Sequence, residues 1–355
     1  MATSIVQTDL SDVLARLAQG SSLTRAEAAE ALRAVMTGAV SEVQTASLLT
    51  ALRTKGETID EVAGFAETMR AHARQVTLDV GDRQVVDTCG TGGDGHNTFN
   101  VSTTAAFVVA GAGVPVAKHG NRAASSQTGS ADLLEALGAT VVASPERVSA
   151  AITTTGFGFM LAPEYHPAMR HVMPVRRGLG FPTVFNILGP LSNPAGVRRQ
   201  VIGVRDVATA RTMANVLQQL GSDRVLIVTS CEGADELTLS GTNHLVEYDR
   251  ERGSIEEYQI DPLEYGLART DLSAIRGGNA AQNAVLTKRV LDGEAGAYRE
   301  TVVLNAAAAL LVAGRATTIG DGLAIAAESI DSGSARRVVD EFIAFSNQPV
   351  EEAVA

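Results

Sequence analysis

Residues 87–130 read DTCGTGGDGHNTFNVSTTAAFVVAGAGVPVAKHGNRAASSQTGS, and this stretch constrains the fold more than any other part of the chain. A short buried strand over 85–87 runs into Gly90-Thr91-Gly92-Gly93-Asp94-Gly95, where four glycines in six residues exclude a regular helix or strand. Such a loop lets backbone N–H groups approach a ligand closely. Asn100, Ser102 and Thr103 then precede an apolar helical run at 105–110, so hydroxyls and free amides gather at a helix N-terminus, where anions bind. A second strand, 114–117, delivers Lys118, His119, Gly120, Asn121 and Arg122, and Ser125, Ser126, Thr128 and Ser130 lead into the next helix. Two strand-to-helix junctions therefore collect cations and hydroxyls at one sheet edge, as a phosphate site requires.

Positions 90, 92 and 95 also satisfy G-x-G-x-x-G after a strand, the pattern of a dinucleotide site. Two features argue against that reading. The polar segment 97–102 delays the helix, and Lys118 stands where a ribose-binding acid is expected. No G-x-x-x-x-G-K-[ST] match exists either, which disfavours a P-loop.

The rest of the chain divides in two. From Asp9 to about Ala73 every segment reads as helix: Leu10, Val13, Leu14 and Leu17 share one face, and Thr24 with Glu27, Ser41 with Gln44 and Thr58 with Glu61 open three further helices. From Gln84 strands and helices alternate, which predicts an α/β unit with a mainly parallel sheet. Helices are expected at 130–137, 145–154, 206–220, 280–291, 300–312, 321–329 and 334–345. Strands are expected at 141–142, 157–161, 201–204 and 225–228, with a marginal hairpin of 245–248 and 255–260. Residues 163–194 break the alternation, and FPTVFNILGPLSNP reads as loop.

Composition narrows the function classes. A formal net charge of −11 over 355 residues disfavours a nucleic-acid surface, so an anionic substrate must be drawn by a local cluster. The absence of Trp argues against base-stacking platforms. Cys89 and Cys231 are too few for a disulfide framework and read as packing residues in a reducing compartment. The N-terminal MATSIVQTDLSD has no signal pattern and no apolar run reaches spanning length, so a cytoplasmic protein without membrane contact is expected.

Taken together, GTGGDG at 90–95, NVST at 100–103, KHGNRAASS at 118–126 and GADEL at 233–237 closely resemble the anthranilate phosphoribosyltransferase family of tryptophan biosynthesis. The resemblance runs in order from about Leu10 to Phe345. It implies a helical domain at 1–78 with a returning segment at about 168–196, and an α/β domain at 79–167 and 197–355, with the hinge near that segment. It also implies transfer of a phosphoribosyl group from phosphoribosyl pyrophosphate to the amine of anthranilate. Residues Gly90, Gly93, Asp94, Thr98, Asn100, Val101, Ser102, Thr103, Lys118, His119, Gly120, Asn121, Arg122, Ala123, Ala124, Ser125, Ser126 and Ser130 would surround the phosphoribosyl pyrophosphate. Ser102, Asp235 and Glu236 would contact two Mg²⁺ ions, hard cations that suit oxygen ligands. Arg176 would fork onto the acceptor carboxylate, with Gly90 and Asn121 nearer its amine. Asp94 is expected to accept from ribose hydroxyls or loop amides, or to meet a metal-bound water. For His119, orienting the acceptor, taking its proton and a structural role all stay open, and His166 is a further candidate to line the acceptor tunnel. A homodimer is implied, and association with an anthranilate synthase component is left open. A pyrimidine nucleoside phosphorylase would lack a purpose for Asp235-Glu236, and a non-catalytic nucleic-acid-binding paralogue would lose GTGGD or gain basic surface.

Overall fold

Thr24 and Thr58 each accept a hydrogen bond from the backbone N–H three residues on, while Glu27 and Glu61 reach back to the capping residue. These reciprocal caps, worth about 1 kcal/mol each, start two of the four N-terminal helices. In the computed structural model, which describes residues 9–123 and 127–349, these are α1 (Ser11–Ala18), α2 (Arg25–Met36), α3 (Glu42–Lys55) and α4 (Ile59–Ala71). Helices α2 and α4 meet at Gly64, where a β-carbon would lie 2.2 Å from the Arg25 carbonyl oxygen. Buried Glu61 ties the unit together, accepting from Leu23 N at 2.9 Å and pairing with Lys55 at 2.9 Å.

The α/β part then runs β1 (Val86–Gly90), α5 (Val101–Gly111), β2 (Val116–Gly120), α6 (Ser130–Leu137), α7 (Pro145–Thr155), β3 (Phe157–Leu161), α8 (Ala162–Tyr165), α9 (Met173–Leu179) and α10 (Phe185–Leu191). It continues as β4 (Arg199–Gly203), α11 (Val207–Gln219), β5 (Arg224–Ser230), β6 (Asn243–Asp249), β7 (Ser254–Ile260), α12 (Ala280–Leu291), α13 (Ala297–Val312), α14 (Ile319–Asp331) and α15 (Ser334–Ser346). The strand order is β3-β2-β1-β4-β5-β6-β7. The first five strands are parallel, and β6 and β7 add an antiparallel edge. Chain direction across the sheet reverses between β1 and β4, so the crevice at their C-terminal ends is the expected ligand position.

Past its first turn, helix α5 is apolar on every side because it is enclosed, by the sheet below and by α13 and α15. On the opposite sheet face, Ile202, Ile227 and Val246 share a core with Met213 and Leu217 of α11 and with Leu32 and Phe65 of the helical unit. Val172, Val175, Phe185, Leu188 and Leu191 enter that same core, so the segment after α8 returns to the N-terminal helices. No helix among the described residues is long and apolar enough to cross a membrane.

Three expectations from the sequence are corrected. Residues 141–142 form no strand, since Val141 is buried but Val142 faces solvent and neither joins the ladder beside β3. Within the stretch expected to be loop, α10 forms because Phe185, Leu188 and Leu191 lie on one helical face and bury against the α4 core, with Pro190 confined to the last turn. Cys231 does not pack inside; it is exposed on the turn after β5. In addition, β2 extends through Lys118 and His119, placing both side chains in the sheet rather than beyond it.

Candidate active site

The site begins with a close approach that only glycines permit. At the ends of β1 and β4, Gly90 and Gly203 leave room for the turn carrying Asp235: a β-carbon on Gly203 would stand 1.6 Å from the Asp235 carbonyl oxygen, and one on Gly90 would stand 2.6 Å from its Oδ2. The turn is held from both sides. Ser230 Oγ accepts from Ala234 N at 2.9 Å, while Asn305 of α13 accepts from Leu237 N at 3.1 Å and donates to Leu237 O at 2.8 Å. Asp235 and Glu236 are thereby presented to the glycine-rich loop and to the N-terminus of α5.

Gly92 N donates to Asp235 Oδ2 at 2.7 Å, and Asp94 accepts from His96 N at 3.1 Å and from Asp235 N at 3.4 Å. Asp94 thus uses loop amides, one of the partners expected for it. Gly92, Gly93 and Gly95 all have positive φ, as does Asn97, so the loop follows a path closed to most side chains. Ser102 N donates to Glu236 Oε1 at 3.3 Å, and Lys118 Nζ donates to Ser102 Oγ at 3.4 Å and to the Thr88 carbonyl. Val101 and Thr103 turn into the core, leaving Ser102 as the side chain of that first turn that meets Lys118.

Charge in this crevice is unbalanced. Asp235 and Glu236 are half-buried, with protein atoms packed closely around them. Burial foremost, and then neighbouring carboxylates, Asp94 for Asp235 and Asp235 for Glu236, push both acids above their ordinary range. Lys118, only 2% exposed, is pushed down by burial, against the opposing pull of Asp87, Cys89 and Glu236. Two adjacent half-buried carboxylates beside the Ser102 hydroxyl form a hard-oxygen donor set that fits a divalent cation. Among the described residues no group of three His, Cys, Asp or Glu side chains forms a metal cluster, so the fit rests on Ser102, Asp235 and Glu236.

The second junction is built around Ser130. A β-carbon on Gly120 would lie 2.2 Å from Ser130 Oγ, which accepts from Asn121 N and donates to Asn121 O, both at 3.1 Å. Ala123 N donates to Asp132 Oδ2 at 2.8 Å. Arg122 is drawn outward into a two-pronged pair with Glu135, at 2.6 and 2.7 Å, so in this conformation its charge is directed to α6 and not to the crevice. Thr98 joins a backbone bridge to Arg276. Ala124, Ser125 and Ser126 lie outside the described residues.

The acceptor candidates are linked by α10, the helix the sequence did not reveal. Arg176 lies over the Phe185 ring at 5.5 Å and reaches the Met173 sulfur, and burial alone lowers its pKa. His119 Nδ1 contacts the Gly189 carbonyl at 3.3 Å. A carbonyl only accepts, so Nδ1 carries the proton and Nε2 presents a lone pair. Buried Nε2 has no partner among the described residues. His166 packs against His119 with ring centroids 5.0 Å apart, and neither of its nitrogens has a well-formed hydrogen bond, though the ring feels the Ser192 backbone. Burial pulls His119 down to about 3 and His166 to about 4, so both rings are neutral at ordinary pH.

Asp87, passed over in the sequence as a strand residue, anchors this arrangement. Fully buried, it accepts from Asn193 Nδ2 at 2.8 Å and His119 N at 3.4 Å, with Gln200 Nε2 at 3.5 Å. The three donors are spread over residues 119–200, so no local pattern could have revealed them.

A helical bundle joined to an α/β unit, with an acid pair facing a glycine-rich anion loop, defines a pentose-transferring enzyme. Two family models agree: residues 11–73 match the helical bundle domain of a glycosyl transferase family, and residues 82–336 match its a/b domain. Anthranilate phosphoribosyltransferase of Rubrobacter xylanophilus is 49% identical over 340 residues, 96% of this chain and 98% of that one. The crystal structure of anthranilate phosphoribosyltransferase from Thermus thermophilus superposes with a TM-score of 0.89 at 47% identity, covering 95% of this chain and 100% of that one. The Saccharomyces cerevisiae enzyme, solved in complex with phosphoribosyl pyrophosphate and Mg, gives 0.86 at 30% identity, covering 95% and 97%. The chain belongs to the anthranilate phosphoribosyltransferase family.

Proposed function

We propose that this chain transfers the 5-phosphoribosyl group of phosphoribosyl pyrophosphate to the amine of anthranilate, giving N-(5-phosphoribosyl)anthranilate and pyrophosphate. The observation that carries the reading is the half-buried Asp235-Glu236 pair set against Ser102 and the glycine-rich loop. These three residues would hold Mg²⁺, two ions in this reading. Bound there, the metal would neutralise charge developing on the departing pyrophosphate.

The chain's own groups do the remaining work. Gly90, Gly93, Thr98 and Asn100 to Thr103 would surround the pyrophosphate and ribose, with Lys118 to Ala123 and Ser130 opposite them; Ala124, Ser125 and Ser126 join the set by the family resemblance alone. Lys118 adds positive charge beside Ser102. Arg176 takes the acceptor carboxylate in a two-pronged contact, and Asn121 and Gly90 face the amine. His119, neutral and with Nε2 free to accept, takes a hydrogen bond from the amine N–H, which turns the nitrogen lone pair toward the ribose carbon. With its pKa near 3 it is a weak base, so positioning rather than strong base catalysis drives the reaction. The donor side belongs to an α/β domain, 79–167 and 197–355, and Arg176 to a helical domain, 1–78 with about 168–196, so transfer takes place between the two. A cytoplasmic homodimer is the working form in this account.

Mass spectrometry of a reaction containing the protein, both substrates and Mg²⁺ tests the reading. Equimolar N-(5-phosphoribosyl)anthranilate and pyrophosphate are expected; anthranilate recovered intact beside a folded protein contradicts it.

A further inference from the structure

Asn100 begins α5, yet its side chain does not cap that helix. It points instead into a closed circuit of hydrogen bonds that reaches far along the chain. Asn283 Nδ2 donates to Asn100 Oδ1 at 2.9 Å, and Asn100 Nδ2 donates to the Thr128 carbonyl at 3.1 Å. Thr128 Oγ1 donates to the Gly278 carbonyl at 2.7 Å, and Gly278 N donates to Asn283 Oδ1 at 2.7 Å. Both amide orientations are forced. Gly278 N can only donate, so Asn283 turns its oxygen there and its NH₂ to Asn100; the Thr128 carbonyl can only accept, so Asn100 turns its NH₂ outward.

The circuit joins the two walls of the phosphate site through a third segment. Residues 97–99 run antiparallel to 275–277, with Phe99 N donating to Ile275 O at 3.0 Å and Gly277 N to Asn97 O at 2.9 Å. A β-carbon on Gly277 would lie 2.8 Å from Phe99 Cα, so the approach depends on glycine. Asn283 is 1% exposed and would be left with unpaired polar groups if the circuit opened. We propose that Asn283 is a positioning residue for phosphoribosyl pyrophosphate binding, fixing Asn100 and the Thr128 loop relative to each other without touching substrate. The proposal rests on the functional reading above.

Asn283→Asp is the sharpest test because it preserves size. It keeps the acceptor for Gly278 but sets an oxygen against Asn100 Oδ1, and Asn100 cannot turn without facing the Thr128 carbonyl with its own oxygen. Thr287→Val is the control, removing the neighbouring Thr104–Thr287 hydroxyl contact at 3.1 Å between α5 and α12 while sparing the circuit. Calorimetric titration of phosphoribosyl pyrophosphate with Mg²⁺ gives the dissociation constant, and steady-state kinetics give both KM values. Asn283→Asp and Asn283→Ala are expected to weaken phosphoribosyl pyrophosphate about tenfold, the scale of one lost hydrogen bond, with anthranilate KM within about twofold. Should Asn283→Ala fail to fold, Thr128→Val cuts the same circuit elsewhere and should give the same split. Folded Asn283→Asp with wild-type affinity, or Thr287→Val with the same loss, overturns the proposal. Wild-type protein that binds no phosphoribosyl pyrophosphate instead contradicts the functional reading beneath it.

Discussion

Gly203 and Asp235 occupy almost the same space: the Asp235 carbonyl oxygen lies 1.6 Å from the position a β-carbon on Gly203 would take. Because the obstructing atom is backbone, Gly203→Ala must separate β4 from the acid turn. An overpacking cost of roughly 1–3 kcal/mol is expected, together with loss of activity. Gly90→Ala meets the Asp235 carboxylate instead, a group that can rotate away. Its melting temperature should change less, while its activity should fall as far. Thermal unfolding and turnover measured on both variants check the contrast; equal loss of stability in the two would contradict it.

Asp87 should be among the most costly polar residues to remove. Asp87→Ala leaves Lys118 buried without its largest favourable charge and takes an acceptor from Asn193 and His119 N. Removing one partner of a buried charged arrangement costs on the order of 3–5 kcal/mol. Urea unfolding of Asp87→Ala checks this. A change below about 1 kcal/mol, the net worth of a single ordinary hydrogen bond, would show that the network around Asp87 is dispensable.

Acid should weaken the fold through the histidine pair. His119 and His166 have folded-state values near 3 and 4, below the ordinary value of 6.5. A histidine depressed in the folded state is protonated first in the unfolded chain, so its contribution is complete above about 6.5 and is lost as pH falls toward 4. Denaturant titrations at pH 7.5, 6 and 5 should show wild type losing stability relative to His119→Gln/His166→Asn as pH falls, while protonation of the raised Asp235 and Glu236 acts in the opposite sense on both proteins. An unchanged slope in that double variant would count against the assignment.

Arg176→Ala should raise the anthranilate KM at least about tenfold, as expected for loss of a charge-assisted pair, with phosphoribosyl pyrophosphate KM little changed. Arg176→Lys should recover only part of it, since an ammonium cannot replace the fork. An equal rise in both KM values would remove Arg176 from the acceptor side.

Much of this was legible in local chemistry. The capping pairs Thr24/Glu27 and Thr58/Glu61, and the glycine cluster at 90–95, each encode their structure within a few residues. Helix α10 was hidden because Pro182, Gly189, Pro190 and Pro194 signal loop, while its stability comes from burying Phe185, Leu188 and Leu191 against a distant helix. The reverse error occurred at 141–142, where two valines suggested a strand that the ladder never pairs. Asp87 and Asn283 were missed for the same reason: their partners lie 106 and 183 residues away. Arg122 shows a further limit, since its pairing with Glu135 depends on the helix that brings them together.

The most direct test of the central claim is the loss of anthranilate fluorescence when the purified protein is mixed with phosphoribosyl pyrophosphate, with and without Mg²⁺. The account predicts a loss that requires both substrates and the metal, and that Asp235→Asn/Glu236→Gln abolishes at ordinary Mg²⁺ concentrations. Stable fluorescence with folded wild-type protein, or loss that the double variant supports equally well, would contradict it.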